Sequence, residues 1–434
     1  MTRARQDGRI LILMGSLLFL LFGFACTFAD PSRLTDFRAL YYPARCILQH
    51  HDPYQTSEVK RIFLAEGGDR PTDNAMTLQI ATQNNYPPTT LSFSVPFALL
   101  PWGPAQILWI ATTFAALIFA SYLIWCLGAD YSPILSGVLL CILLANSGIL
   151  INTGNAAGIT ISLCGIAVWC FLRERFIGAG ILCLAVSLAI KPHDAGLVWL
   201  YFLLAGRVFR KRALQTLAAT IAISLPAVLW VWRVSPNWMQ ELRFNLLAYS
   251  AHGGTNDPRF AAPGPKGVLD LQVVVSIFRD DPGFYNSVAY LICAAPLLVW
   301  AWVTLRSSSS RDRVWLALAA IAPLSLLPVY HRFYDAKLLM LTVPACAMLW
   351  VEGGRSGRLA LPITFAGLLM TGDLPWLIFL NLGGRLHLLS PGYITSSPHP
   401  LLVSSVPLAL LSMSLFYLWI YLRRDTVHPA TGCR

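Results

Sequence analysis

Asp36 stands a few positions beyond the first apolar run of the chain, in Thr35-Asp36-Phe37-Arg38-Ala39-Leu40-Tyr41-Tyr42. A carboxylate tethered there can take a proton from a hydroxyl group, although an Asp in a loop serves equally well as a solvated surface charge. Two further clusters of ionisable residues interrupt apolar sequence: Lys191-Pro192-His193-Asp194, and Tyr330-His331-Arg332-Phe333-Tyr334-Asp335-Ala336-Lys337. Lys191, His193, His331 and Arg332 are the cations of these clusters, and Arg332 offers a fork of donors suited to a phosphate. The same residues would also fit a tight loop and an interfacial anchor of snorkelling side chains. In Asn152-Thr153-Gly154-Asn155, Gly154 permits a tight reversal, and Asn155 either caps the next helix or touches a ligand. Asp280-Asp281 precedes Pro282-Gly283 and reads as a turn, and no Cys/His spacing suggests a metal site.

The elements that must position these groups are apolar. The chain is 56% hydrophobic and 12% charged, with a mean hydropathy of +0.59, a profile of a polytopic membrane protein rather than a soluble enzyme. A helix needs roughly 20 apolar residues to cross hydrocarbon, and about a dozen segments qualify as candidates. They lie near 10–29, 104–127, 132–151, 155–172, 176–190, 194–206, 213–232, 287–305, 313–330, 335–351, 359–376 and 399–422. The first is longer than the core of a signal peptide, so a retained helix is expected despite the passable cleavage site at Thr27 and Ala29.

Arg3, Arg5 and Arg9 keep the N-terminus cytoplasmic under the positive-inside tendency. Strict alternation then leaves Arg173–Arg175, Arg207–Arg212, Arg306–Arg313, Arg355–Arg358 and the C-terminal Arg423-Arg424 on the same side. The whole net charge of +11 falls there. Asp36 emerges on the opposite face, within the first of two long outer segments at about 30–103 and 233–286. The first holds a polar stretch at Glu66–Asp73 and the run Leu91–Leu100, too short to span and expected to lie at the interface, where Trp102 and Trp109 suit an aromatic belt. The second starts amphipathic and becomes a Gly-, Pro- and Asn-rich mobile loop between His252 and Gly267. Segments 176–190 and 194–206 are short for a crossing, so the turn at Lys191–Asp194 is expected to be recessed and to line a cavity. Nucleic acid is excluded as a partner, because no basic stretch lies outside the short helix connections. With Cys46 outside and Cys433 in the cytoplasmic tail, no external disulfide pair is available.

In chain order, Asp36-Phe37 with Tyr41-Tyr42, Asp52-Pro53-Tyr54, Tyr86-Pro87-Pro88, Gly154-Asn155, Ile190-Lys191-Pro192 and Tyr334-Asp335 with Leu338-Leu339 resemble the polytopic glycosyltransferases of family 87. That family includes polyprenyl-phosphate-mannose-dependent α-mannosyltransferases, and the resemblance covers roughly residues 10–350. It implies an all-α integral membrane protein, a single GT-C domain over 1–434. The expected bundle has about 12 transmembrane helices, with long outer loops carrying short interfacial helices. It further implies a plasma-membrane hexosyltransferase that takes its sugar, expected to be mannose, from a polyprenyl-phosphate donor. The acceptor would be a glycan or glycolipid, used on the outer face by inverting displacement without a cofactor or metal. Asp36 would be the general base, and Lys191, His193, His331 and Arg332 would hold the donor phosphate. Tyr86, Asn155 and Asp335 would position hydroxyls. The family usually has Gly-Gln where this chain has Gly154-Asn155. A multi-pass transporter is one rival reading, weakened by the lack of an internal repeat, and a lipid-linked glycan ligase or polymerase is another.

Overall fold

The computed structural model describes residues 2–29, 33–66, 75–259, 267–307, 310–373 and 405–426. Most of the polar stretch Glu66–Asp73, and Cys433, lie outside them. Among the described residues every regular element is helical, and the one β pairing is an isolated antiparallel bridge between Val268 and Arg332. The chain opens with α1 (Arg3–Ala29), followed by four short helices, α2 (Thr35–Leu48), α3 (Thr56–Ala65), α4 (Ala75–Thr82) and α5 (Pro88–Ala98). Next come α6 (Trp102–Gly128), α7 (Pro133–Ala145), α8 (Gly148–Thr153), α9 (Ala157–Leu172), α10 (Ile177–Ile190), α11 (Pro192–Leu204) and α12 (Gly206–Val234). After α13 (Trp238–Ser250) and the single turn α14 (Gln272–Val275) come α15 (Pro282–Arg306) and α16 (Arg311–Ser325). A 3-10 segment over Asp335–Thr342 leads into α17 (Val343–Glu352), α18 (Gly354–Met370) and α19 (Ser405–Thr426).

Five of these helices, α1, α6, α12, α15 and α19, contain stretches long and apolar enough to cross a membrane. Their outward faces carry Leu13, Ile107, Leu291 and Leu298, each 68–72% exposed. An apolar surface of that extent is unfavourable in water and matched in hydrocarbon, which marks a membrane protein. The other apolar segments fold as helices of 10–17 residues, such as α7, α9, α10 and α17. The helices pack closely where small residues allow it: a Cβ at Gly15 on α1 would stand 2.7 Å from Cys141 Cα on α7.

Helix ends that strict alternation assigns to one side do meet. Asp130, after α6, bonds Arg173 at 2.7 Å, Arg5 at 3.1 Å and Arg311, which gathers the start of α1, the end of α9 and the start of α16. At the other end of the bundle, α2–α5 build a second, aromatic core. Phe37 stacks on Trp109 with ring centroids 4.5 Å apart, and Tyr42 stacks on Trp102 at 5.6 Å. Trp109 is fully buried, so it is a packing residue and not part of a lipid-facing belt. The stretch expected to be a mobile loop is also pinned in its described part. Asp257 accepts from Gly253 N and pairs with Arg259 at 2.7 Å, and Arg259 reaches Asp280 at 3.1 Å. Asp281 caps α15 by accepting from Gly283 N, the turn role expected of that acidic pair.

Candidate active site

Several helices stop at one level, and their ends surround a cavity of about 640 Å³. Helix α10 has 14 residues, so it rises about 21 Å before it ends at Lys191. It ends there because α5 caps it: Thr90 Oγ1 donates to Ile190 O at 2.6 Å and Thr89 donates to Ala189 O, satisfying carbonyls that the helix leaves open. Pro192 then starts α11 with its fixed φ. The α10–α11 hairpin thus carries Ile190, Lys191, Pro192 and His193 into the cavity wall.

Asp36 enters the same cavity from the first turn of α2 through a closed circuit of contacts. Phe37, its neighbour, packs on Trp109, and Trp109 Nε1 donates to Gly154 O at 2.9 Å. Next along the chain, Asn155 uses Oδ1 to accept from Ala157 N at 2.9 Å, which fixes its amide and turns Nδ2 toward Asp36 Oδ2 at 2.8 Å. Asn155 therefore both starts α9 and orients the carboxylate. Gly154 closes the circuit at φ +66°, where a Cβ would lie 2.9 Å from Leu34 Cδ2 and 2.9 Å from Phe37 Cβ. Gly154→Ala is expected to cost about 1–2 kcal/mol from the left-handed backbone alone. It should also lower turnover by displacing α2, and thermal unfolding together with rate measurements on the purified variant checks both effects.

The third wall comes from Tyr330–Tyr334. Around Arg332 the backbone is bridged to Val268, with Leu269 N donating to His331 O at 2.9 Å and Phe333 N to Gly267 O at 3.1 Å, before the chain turns at Phe333 and Tyr334. Extended backbone alternates its side chains. Tyr330 and Arg332 accordingly line the cavity, while His331 is fully buried behind it. Arg332 donates to Thr255 O at 2.8 Å and contacts the Tyr330 hydroxyl through Nε. Asp335 is buried as well: its Oδ2 accepts from Arg332 N at 2.7 Å, and its Oδ1 takes the Lys191 ammonium. Lys191 Nζ also lies 3.5 Å from Asp194 Oδ2 and 3.5 Å from Asn155 Oδ1.

Of the residues singled out by sequence, Asp36, Tyr86, Asn155, Lys191, His193 and Arg332 share the cavity wall, whereas His331 and Asp335 stand behind it. Burial is the largest influence on the Asp36 carboxyl and raises its pKa above the ordinary value, outweighing the bond from Asn155 and the charges of Arg332 and Lys191. Burial also pushes the Tyr86 hydroxyl up, so it remains a neutral hydrogen-bond donor. Sequence reading missed the contribution of α13, which turns Leu242, Leu246 and Tyr249 into the cavity. Their four- and three-residue spacing marks one helical face, and that pattern was the available signal. Asn245 on α13 locks the helix to the loop before Tyr86 by donating to Asn84 O at 2.8 Å.

The sequence model of Glycosyltransferase family 87 matches residues 84–327, more than half of the chain. No curated protein and no solved structure matches.

Proposed function

The chain belongs to glycosyltransferase family 87 and is a membrane glycosyltransferase, and we propose that it transfers a hexose from a polyprenyl-phosphate donor to an acceptor hydroxyl. Mannose is the sugar this reading favours, and the outer face of the plasma membrane is the place. Nucleotide sugars are cytoplasmic, so a site on that face needs a donor that has already crossed. One observation carries the reading. A single cavity at one end of the bundle sets the Asp36 carboxylate against the cations Lys191, Arg332 and the imidazole of His193.

In the proposed reaction the acceptor oxygen attacks the anomeric carbon as the bond from that carbon to the phosphate oxygen breaks. Asp36 takes the acceptor proton, and the departing polyprenyl phosphate keeps the electron pair. Lys191 and Arg332 stabilise the charge that collects on the leaving phosphate, with His193 beside them. Tyr86 and Asn155 meet the sugar or acceptor hydroxyls. Asp335 acts one step back by holding Lys191 and the Arg332 backbone, and His331 does not reach the cavity itself. A single displacement inverts the donor configuration, giving an α-linkage from a β-linked mannosyl phosphate. Twelve crossings in a GT-C arrangement, with both termini cytoplasmic, complete this reading of the topology.

The deciding assay uses the full-length protein in lipid with polyprenyl-phosphate mannose, other polyprenyl-phosphate hexoses and nucleotide sugars. Transfer from the lipid phosphate alone is expected, and transfer from a nucleotide sugar alone would overturn the proposal. The pH profile supplies a second check. Asp36 must be deprotonated to act, and burial raises its pKa, so activity should fall with acid at a pH above the ordinary carboxylate value. Asn155→Ala removes a hydrogen bond that favours the charged form, so the acid limb should move to higher pH. A limb unmoved by that substitution would separate Asp36 from the proton transfer.

A further inference from the structure

His193 on the cavity wall converges with Asp194 and His331 behind it, and each offers one metal-ligating atom within 4.8 Å of the others. His331 Nε2 lies 3.4 Å from Asp194 Oδ1, and His193 Nε2 lies 3.8 Å from the same oxygen. Bonds of about 2.0–2.2 Å to a tetrahedral ion place neighbouring ligand atoms about 3.4 Å apart, so the His331–Asp194 pair already has the spacing and His193 must rotate toward both of the others. His193 can make that rotation, because its side chain is 38% exposed on the cavity wall.

The tautomer of His331 sharpens the argument. Its Nδ1 sits 2.8 Å from Val329 O, and a carbonyl only accepts, so Nδ1 carries the hydrogen. Nε2 then faces Asp194 Oδ1 at 3.4 Å, and either a proton on Nε2 or a metal ion between the two would join them. Both groups are buried, at 0% and 1% exposure, and neither His331 Nε2 nor Asp194 Oδ1 has a hydrogen-bond partner. Buried polar atoms without partners are costly, and a bound ion is one of the standard explanations. The ring nitrogen remote from a metal usually donates to a carbonyl in this way. The carboxylate is also divided between two duties: Oδ2 faces Lys191, which leaves Oδ1 for the histidine pair.

We propose that His193, Asp194 and His331 bind one divalent transition-metal ion, with Zn2+ best matched to two imidazoles and a carboxylate. Three protein ligands would leave a coordination position open, and His193 lines the same cavity as Lys191 and Arg332. A phosphate oxygen fits that position. The phosphate role rests on the donor reading given above, whereas metal binding does not. Sequence spacing gave no sign of the site, because His331 comes from a segment far along the chain from the other two ligands.

The test strips the purified, untagged full-length protein in nanodiscs with a chelator, reloads it with Zn2+ or Co2+, and measures bound metal per chain by mass spectrometry. Retention of about one ion per chain is expected. His193→Ala and His331→Ala should each weaken it roughly tenfold or more. His193 lies on the cavity wall, so its replacement leaves the packed interior in place. A native protein that retains no metal, or retention indifferent to both substitutions, overturns the proposal. The pair would then be an imidazolium–carboxylate bridge. Inorganic phosphate should perturb the visible spectrum of the Co2+ form, and an unchanged spectrum would remove the open position. Metal content is read without any sugar donor, so a failed donor assay and a failed metal assay remain distinct results.

Discussion

Asp36→Asn is expected to abolish sugar transfer while leaving the protein folded and able to bind its donor. The substitution keeps the shape of the side chain and an oxygen that can still accept from Asn155 Nδ2, so the circuit through Phe37, Trp109 and Gly154 stays closed. What disappears is basicity, because an amide cannot take the acceptor proton. Removing a positioned general base lowers the rate by roughly 10²–10⁴-fold. The loss should fall on kcat, with KM for the donor little changed, since the phosphate is assigned to Lys191 and Arg332 across the cavity. Thermal unfolding near the native midpoint would show that the loss is chemical. Undiminished turnover would remove Asp36 from the mechanism and leave the cavity without an identified base.

Much of this was legible in the sequence, and the parts that were not share a physical cause. Composition and charge pattern indicate a membrane protein, and the recessed turn at Lys191 follows from two helices too short to cross alone. The pairing of Asp36 with Asn155 could not be read from either residue, because it depends on Trp109 bridging α2 to the turn before α9. Trp109 itself misleads at the level of sequence. An indole near a helix start suits a lipid interface, and only the stacked Phe37 reveals that it is interior. His331 and Arg332 are adjacent cations with equal claims on a phosphate until the bridge to Val268 fixes which one faces the cavity. Side-chain direction on extended backbone is set by its pairing partner, which here lies in a different segment.

Lys191 carries the other large effect, because it serves the fold and the substrate together. Its ammonium is shared by Asp335 and Asp194, both at 1% exposure, and it presents to the cavity between them. Lys191→Met fills the same volume without charge, leaving the buried Asp335 carboxylate without its cation and Asp194 with only the histidines beside it. Breaking a buried pair by removing one partner costs about 3–5 kcal/mol, so a markedly lower unfolding temperature is expected. The double variant Lys191→Met/Asp335→Asn removes one stranded charge, and its amide can still meet the Arg332 backbone through oxygen. It should recover part of the lost stability, and the cycle of single and double variants measures the coupling directly. Donor use should not recover, because the leaving phosphate still lacks a cation in the cavity. Stability restored with donor KM and kcat still impaired separates the two duties of this residue. Full recovery of transfer in the double variant would make Lys191 structural and leave the phosphate to Arg332 and its neighbours.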